Sequence, residues 1–313
     1  MKSNHKRNRL ETDMKYTDVI TGNNINKKFG KFELDVPELH IPEGFSTALV
    51  GENGAGKTTL LNILGGIRRD NKGEVRYFED KKIDDEGVME RIGFTGTKNY
   101  FLPHWNGNQI RELSDMLFDN FDKEKFDAIC RSLNIDDSVF GAKAKSVSKL
   151  SDGNLMKLML ATVFARKTDL LILDEPASPL DPLMRDLLGD ILRTYIAEGN
   201  GKRSILFSTH NISDMEDVTD YIIVMDDGKI LEQGFVTDIK EKYVIVKGDC
   251  ELTEELKKNM ISVTAGKYGF EGLALAEKTE SFTGMNISFE TPDLFKICVA
   301  LLKQNSKLSM PVL

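Results

Sequence analysis

The amino-acid sequence predicts an α/β fold, a mainly parallel β-sheet covered by helices on both faces. Two observations predict it. Short apolar runs recur along the chain with helical patterns between them, and one such run leads through a glycine-rich loop into a helix. Because these runs are mostly apolar and do not alternate with polar residues, both faces of the sheet should be buried. The runs expected to form the sheet are residues 47–50, 91–95, 170–174, 204–209 and 221–225.

Length and composition indicate a globular protein. The chain has 313 residues, of which 40% are hydrophobic and 29% are charged. These values suit one large domain, or a main domain with a smaller companion. No apolar run reaches the ~20 residues that span a bilayer, and the N-terminus lacks the apolar segment of a signal peptide. Residues 1–15, which are rich in lysine and arginine, are predicted to form a flexible basic tail.

Cysteine usage and net charge exclude several kinds of site. The 3 cysteines lie far apart in the sequence and show no metal-ligand spacing. A zinc site or a disulfide framework is therefore not expected, and a reducing cytoplasm is the default. The net charge of −8 argues against a nucleic-acid surface, so we expect no nucleic-acid partner.

Further elements are expected beside the central sheet. The stretches Phe32–Ile41 and Glu74–Phe78 are predicted to form strands of an antiparallel flank. An Asp-Gly pair within residues 225–230 stands between two apolar runs and predicts a β-hairpin. Residues 239–313 combine short strand and helix patterns, which indicates a small α+β C-terminal domain.

Residues 96–167 change to a helical period and are predicted to form a helical subdomain inserted into the sheet domain. One helix should bury Ile110, Leu113 and Leu117 on a common face. A second helix should begin after Asp122, which is a suitable cap, and should bury an apolar face of its own. That second face consists of Phe126, Ile129, Cys130 and Leu133.

The strongest functional signal is GENGAGKTT, residues 51–59, which fits the pattern G-x-x-x-x-G-K-[ST]. We call it the phosphate-binding loop. Between a strand and a helix, its glycines let backbone N–H groups surround phosphate oxygens, and the helix N-terminus adds partial positive charge. Lys57 should reach the β- and γ-phosphates, and the Thr58 hydroxyl should ligate Mg²⁺. The residues expected to bind the nucleotide are Gly51, Glu52, Asn53, Gly54, Ala55, Gly56, Lys57, Thr58 and Thr59.

A second apolar run, LLIL, ends in two carboxylates, Asp174 and Glu175. Ligands of α/β sheets bind at the carboxyl ends of the strands, so both side chains should lie near the phosphate-binding loop. Asp174 is expected to hold Mg²⁺, usually through water, and Glu175 is the candidate general base for the attacking water. Two carboxylates at the end of a buried strand would be costly without a cation nearby.

His210 follows another strand end, in SILFSTH. Taken alone, a histidine in that position is more often a hydrogen-bonded structural residue. With a triphosphate at the same edge of the sheet, contact with the γ-phosphate becomes the expected role. His210 is therefore a catalytic candidate together with Glu175 and Lys57.

The order of the motifs GENGAGKTT, KLSDGN, LLILDEP, ASPLD and STH resembles that of the ATP-binding subunit of an ABC transporter, in the bacterial exporter-like branch. The resemblance covers residues 16–238 and implies an ABC-type P-loop NTPase domain. It also implies two subunits packed head to tail, with each ATP between one subunit's phosphate-binding loop and the other's KLSDGN. Ser151 and Gly153 would then face the γ-phosphate of ATP held by the partner, with a helix dipole behind them.

The resemblance assigns two further residues. Phe29 would stack on adenine, with core packing as the alternative. Asp181 would lie across the dimer interface, yet it also stands where it can cap a helix whose first residue is Pro182. Both readings of Asp181 stay open.

Two residues depart from the family pattern. Asp152 stands where the signature loop is usually not acidic, and a carboxylate beside a triphosphate costs on the order of 1 kcal/mol. It could also act as a helix cap, as could Ser151. Thr97 stands where the family carries a glutamine, and its shorter side chain puts contact with the metal in doubt.

The stretch 99–105, NYFLPHW, could dock a membrane partner or fill the core of the helical subdomain.

The function implied by the resemblance is ATP hydrolysis that drives substrate movement, export being favoured, through separate membrane-spanning subunits. ATP and Mg²⁺ are the expected cofactors. A homodimer or heterodimer of ATPase subunits is expected at the cytoplasmic face of the cell membrane. Two alternatives stay open: a soluble ABC ATPase without a channel, such as an assembly scaffold or a regulator, and a weakly hydrolysing partner in an asymmetric dimer.

Overall fold

The computed structural model describes residues 16–266, 268–282 and 286–305. The predicted basic tail, residues 1–15, lies outside the described residues. Within the described ranges, none of the helices has the length and apolar character needed to cross a membrane.

Strands and helices follow one another along the described chain. The strands are β1 (Asp18–Phe29), β2 (Phe32–Pro42), β3 (Ser46–Val50), β4 (Lys72–Tyr77), β5 (Ile92–Thr95), β6 (Leu170–Leu173), β7 (Ser204–Thr209), β8 (Tyr221–Asp226), β9 (Lys229–Phe235), β10 (Tyr243–Gly248), β11 (Met260–Gly266), β12 (Gly269–Leu275) and β13 (Ile287–Glu290). The helices are α1 (Lys57–Leu64), α2 (Gly107–Leu117), α3 (Lys123–Ser132), α4 (Asp152–Phe164), α5 (Pro182–Ala197), α6 (Val236–Lys242), α7 (Glu254–Lys258) and α8 (Leu294–Asn305).

The central sheet has the strand order β5-β6-β7-β3-β8-β9. Its strands pair in parallel, except that β8 and β9 are antiparallel. Successive residues of one strand enter different apolar clusters on opposite faces; Leu170 belongs to one and Leu171 to the other. The predicted α/β fold is confirmed, and the five predicted runs form β3, β5, β6, β7 and β8.

The antiparallel flank is also present, with the strand order β2-β1-β4. The predicted hairpin joins β8 to β9, with Asp226 opposite Lys229. Asp227 and Gly228 form its turn with φ angles of 41° and 78°. Positive φ at both central residues is what a type I′ turn requires, and this explains the Asp-Gly pair.

Three helices, α2 to α4, follow the strand β5. The side chain of Asp122 accepts a hydrogen bond from the Lys125 N–H at 2.9 Å, so the predicted cap of α3 is confirmed. The predicted apolar face of α2 is partly wrong. Ile110 is buried, whereas Leu117 is 64% exposed. Leu117 borders a groove, described below, and does not pack into the core.

The C-terminal segment forms an antiparallel sheet with the order β11-β12-β10-β13. Helix α8 packs against β11 and β12 of this sheet and also against β8 of the central sheet. Its residues Ile297 and Leu301 belong to the same buried cluster as Ile222 and Val224 of β8. The segment that follows residue 239 therefore shares a hydrophobic core with the sheet domain.

Candidate functional site

The phosphate-binding loop leaves the buried strand β3, between β7 and β8, and ends in the first turn of α1. Gly56 caps α1 with φ 107°, a conformation that side chains other than glycine rarely adopt. A Cβ atom at Gly56 would also lie 2.8 Å from the Phe32 ring. The glycine thus allows the loop to pass close to the flank and still start a helix.

Lys57 lies at the base of this loop with its side chain only 6% exposed. Its Nζ donates hydrogen bonds to the carbonyl oxygens of Gly51 (2.7 Å) and Glu52 (3.2 Å). The same nitrogen lies 3.3 Å from Oε1 of Glu175. A buried ammonium group held by neutral carbonyls and one carboxylate is well placed to bind a phosphate oxygen at the mouth of the loop.

Asp174 follows β6 and is 1% exposed. Its Oδ2 accepts a hydrogen bond from the Thr58 hydroxyl at 2.8 Å, and its Oδ1 accepts one from the Ser208 hydroxyl at 2.6 Å. A carboxylate and a hydroxyl oxygen are the ligands that Mg²⁺ prefers. Since a buried carboxylate with only hydroxyl partners benefits from a cation, the donor set of Thr58 and Asp174 fits Mg²⁺.

Glu175 has a positive φ of 52°. A left-handed backbone at a residue other than glycine is a form of strain that is concentrated at functional sites. The Glu175 N–H donates to the Ser208 hydroxyl oxygen at 2.9 Å. Nδ1 of His210 lies 2.8 Å from Oε2 of the Glu175 carboxylate, which accepts its proton in a hydrogen bond. The structure therefore brings Lys57, Glu175 and His210 together, as the sequence predicts.

Ser208 is one of the residues of this site that were not predicted from the sequence. Its hydroxyl donates to Asp174 and accepts from the backbone of Glu175, so it links both carboxylate-bearing residues to β7. Its position two residues before His210, on a strand that ends at the same edge, is a signal that could have found it.

A cavity of about 420 Å³ joins the phosphate-binding loop to Phe29, which is 36% exposed. Phe32 and Arg68, which the sequence reasoning had not singled out, also line this cavity. Gly51 and Ala55 belong to the loop but are buried and do not line the cavity. The predicted residues that line the cavity are Phe29, Glu52, Asn53, Gly54, Gly56, Lys57, Thr58, Thr59 and Glu175.

The KLSDGN turn lies next to a second cavity of about 320 Å³, which Asp152, Glu175 and His210 line. Ser151 caps α4, because its hydroxyl accepts a hydrogen bond from the Asn154 N–H at 3.3 Å. A Cβ atom at Gly153 would lie 2.9 Å from the Pro179 carbonyl oxygen. Ser151 and Gly153 do not line the first cavity.

Asp181 caps α5, with Oδ1 accepting a hydrogen bond from the Met184 N–H at 3.0 Å and Pro182 in the first turn. The structural role considered for Asp181 is therefore present in the single chain. Arg185 of the same helix bonds the Leu180 carbonyl and the Asp214 carboxylate.

A groove of about 760 Å³ lies between α2, α4 and the end of β5, and Tyr100, Phe101, Leu117 and Phe118 are among its lining residues. Arg166 forms part of its wall, and burial lowers the pKa of this guanidinium group. The aromatic residues of the stretch 99–105 differ in their exposure to solvent. Tyr100 is 50% exposed, whereas Phe101 is buried and Trp105 packs against the core.

Known proteins are similar to this chain in sequence. Residues 34–178 match the sequence profile of a family described as ABC transporter. An uncharacterized ABC transporter ATP-binding protein of Methanocaldococcus jannaschii is 29% identical over 87% of this chain and 96% of its own length. The molybdenum import ATP-binding protein ModC of a Shewanella species is 29% identical over 69% of this chain. The alignment spans 58% of the ModC chain.

The fold has solved counterparts as well. The ATP-binding cassette MJ0796, in a dimeric post-hydrolysis state bound to ADP and Pi, superposes with a TM-score of 0.59 and 20% sequence identity. The superposition covers 69% of this chain and 98% of that one. At this identity the likeness concerns the fold.

Proposed function

Since this chain carries an ABC transporter ATP-binding domain, with the ABC ATPase fold, we propose that it hydrolyses ATP at the phosphate-binding loop and so drives substrate transport. One observation supports this most directly. Lys57, Glu175 and His210 form one chain of polar contacts at the carboxyl edge of the sheet, and the Ser208 hydroxyl joins it to the pair of Thr58 and Asp174.

Each side chain of this set has a distinct task in the proposal. Lys57 exchanges its carbonyl partners for oxygens of the terminal phosphates, to which an ammonium group binds strongly. Glu175 accepts a proton from the attacking water, and its position is held by the backbone bond to Ser208. Nδ1 of His210 contacts Glu175, and the other ring nitrogen, Nε2, donates to the γ-phosphate when it also carries a proton.

Thr58 and Asp174 would hold Mg²⁺. When bound, the ion supplies positive charge that neutralises the phosphate oxygens. The Ser208 hydroxyl orients the Asp174 carboxylate toward this position through its 2.6 Å bond to Oδ1.

The proposed working state is a head-to-tail dimer. Ser151 and Gly153 of one subunit face the ATP held by the other, and Phe29 stacks on the adenine. The exposure of Phe29 beside the cavity supports its part in this arrangement. Asp181 has a capping role in the single chain, and the proposal adds its position at the interface between the two subunits.

Glu175→Gln tests the hydrolytic site. The variant should retain ATP binding, lose at least ~100-fold in turnover as expected for loss of a general base, and accumulate as an ATP-bound dimer. Turnover is measured by phosphate release and the dimer by light scattering. If the variant keeps turnover within a factor of two of the parent, Glu175 is not the base.

We further propose that the 760 Å³ groove receives a separately encoded membrane-spanning subunit, which places the protein at the cytoplasmic face of the membrane. The apolar and aromatic residues at its border support this, because such groups are enriched at the centres of protein interfaces. For the direction of transport we propose export, on the exporter-like order of the motifs and the C-terminal segment. The relative ModC is named an import protein, so the reported relatives do not themselves support export.

Leu117→Asp and Met116→Asp form a matched pair for the groove. Both residues lie on α2 and are exposed, but only Leu117 lines the groove. In the native host, the aspartate at 117 should reduce the fraction of protein that sediments with membranes, and the aspartate at 116 should not. Equal sedimentation of both variants and the parent would contradict docking in this groove.

A further inference from the structure

Two cations lie against the ring of Phe29. The Arg68 guanidinium carbon is 4.7 Å from the ring centroid, and Nζ of Lys27 is 5.5 Å from it. Both distances are within the range of cation–π attraction. Phe29 is also the aromatic residue at the end of the nucleotide cavity, so these cations stand where a base would arrive.

Asp70 contacts both cations. Its carboxylate forms ion pairs with Lys27 and, at 3.3 Å, with Nη1 of Arg68. Lys27 also donates to the Asp70 carbonyl oxygen at 2.9 Å. The Arg68 N–H bonds the Asn62 carbonyl oxygen at 2.9 Å, which fixes its backbone to the end of α1. Arg68 is thus attached to the helix that begins at the phosphate-binding loop.

Arg68 and Phe29 line the same 420 Å³ cavity as Lys57 and Thr58. A nucleotide whose phosphates lie in the loop and whose remainder occupies this cavity would place its base close to both side chains. Lys27 does not line this cavity, so Arg68 is the cation that meets the base.

From this geometry, and on the premise of the proposed ATP site, we infer that Arg68 stacks on the face of the base opposite Phe29. The base would lie between an aromatic ring and a planar guanidinium group. Two contacts of about 3.5 Å each need about 7 Å between ring and guanidinium, so Arg68 must withdraw by about 2–3 Å. Its side chain is 37% exposed, which leaves it room to do so.

A competing effect would act in the opposite direction, because Arg68 covers part of the Phe29 ring that the base would use. If Arg68 only shielded Phe29, its removal would tighten ATP binding. If it acted only as a positive charge near the phosphates, its removal would weaken the binding of any polyphosphate. If Arg68 acts by stacking, its removal weakens the binding of ligands that carry a base. The binding of ligands without a base then stays unchanged.

The experiment compares ATP with inorganic tripolyphosphate, each with Mg²⁺, by titration calorimetry on the full chain. Arg68→Ala should weaken ATP binding roughly 5- to 50-fold, as loss of a stacked cation on a base predicts. The affinity for tripolyphosphate should stay within a factor of two. Arg68→Lys keeps the charge without the planar group and should lose part of the ATP affinity. Arg69→Ala is the matched control, because Arg69 pairs with Asp84 and does not line the cavity.

Three results would overturn the inference: unchanged or tighter ATP binding by Arg68→Ala, an equal loss for ATP and tripolyphosphate, or an equal loss in Arg69→Ala. A parent protein that binds neither ligand would refute the proposed ATP site itself, and the inference with it. That outcome is distinguishable, because it appears before any substitution is made. Thermal melts of each variant, compared with the parent, confirm that the fold is retained.

Discussion

Removing the Ser208 hydroxyl should destabilise the protein more than removing an equally buried hydroxyl at the other end of the same strand. Ser208 and Ser204 are both 0% exposed and belong to β7. Ser208 donates to the Asp174 carboxylate and accepts from the Glu175 N–H. Ser204 accepts a neutral hydrogen bond from the Gly44 N–H at 2.9 Å.

The magnitudes follow from the partners. A hydrogen bond to a charged group contributes about 1.5–3 kcal/mol and a neutral one about 0.5–1.5 kcal/mol. Ser208→Ala should therefore lower the free energy of unfolding by roughly 2–4 kcal/mol, and Ser204→Ala by about 0.5–1.5 kcal/mol. The larger loss includes the cost of leaving a carboxylate that is 1% exposed with one partner fewer.

Urea denaturation measures both values, with the fluorescence of Trp105, the single tryptophan, as the probe. Turnover by Ser208→Ala should fall by a larger factor than its ATP affinity, because the hydroxyl positions the backbone of Glu175. Ser204→Ala should leave both unchanged. The reasoning is refuted if Ser208→Ala costs no more stability than Ser204→Ala.

Three further substitutions test the phosphate-binding loop, the KLSDGN turn and the C-terminal segment. Lys57→Ala should weaken Mg·ATP binding by roughly 1.5–3 kcal/mol, measured by calorimetry, and an unchanged affinity would mean that the loop does not bind the phosphates through this side chain. Asp152→Gly should raise ATP-dependent dimerisation and turnover, because it removes the repulsion between this carboxylate and the triphosphate. The gain should be smaller at higher salt, which screens the repulsion. A lower melting temperature with unchanged dimerisation would leave Asp152 only a role at the start of α4. Ile297→Ala should lower the stability of the whole chain by roughly 2–5 kcal/mol, since α8 shares the central core; a separate second transition with the first one unshifted would favour an independent C-terminal domain.

The sequence alone was sufficient for the features that depend on local patterns. Apolar runs predicted β3 and β6, the Asp-Gly pair predicted the turn between β8 and β9, and the spacing of glycines around Lys57 predicted the phosphate-binding loop. Asp122 was recognised as a cap from its place before a helical period. These signals are readable because strand, turn and cap preferences act between residues close together in the chain.

The helical period predicted burial wrongly where the apolar face of α2 borders the groove instead of the core. Leu117 follows the helical period of Ile110, yet Ile110 is buried and Leu117 is exposed beside the groove. A hydrophobic period states that one side of a helix is apolar. It does not state which part of that side is covered by the rest of the chain.

Tertiary structure decided the contacts between residues far apart in sequence. Ser208 reaches Asp174 across 34 positions, and Thr58 reaches the same carboxylate across 116. Arg68 meets Phe29 because it lies just before β4, which pairs with β1. Helix α8, which follows a separate sheet in the chain, packs against β8. The sequence contains each of these side chains without stating its partner, since partners are set by the order in which β6, β7 and β3 lie side by side in the sheet.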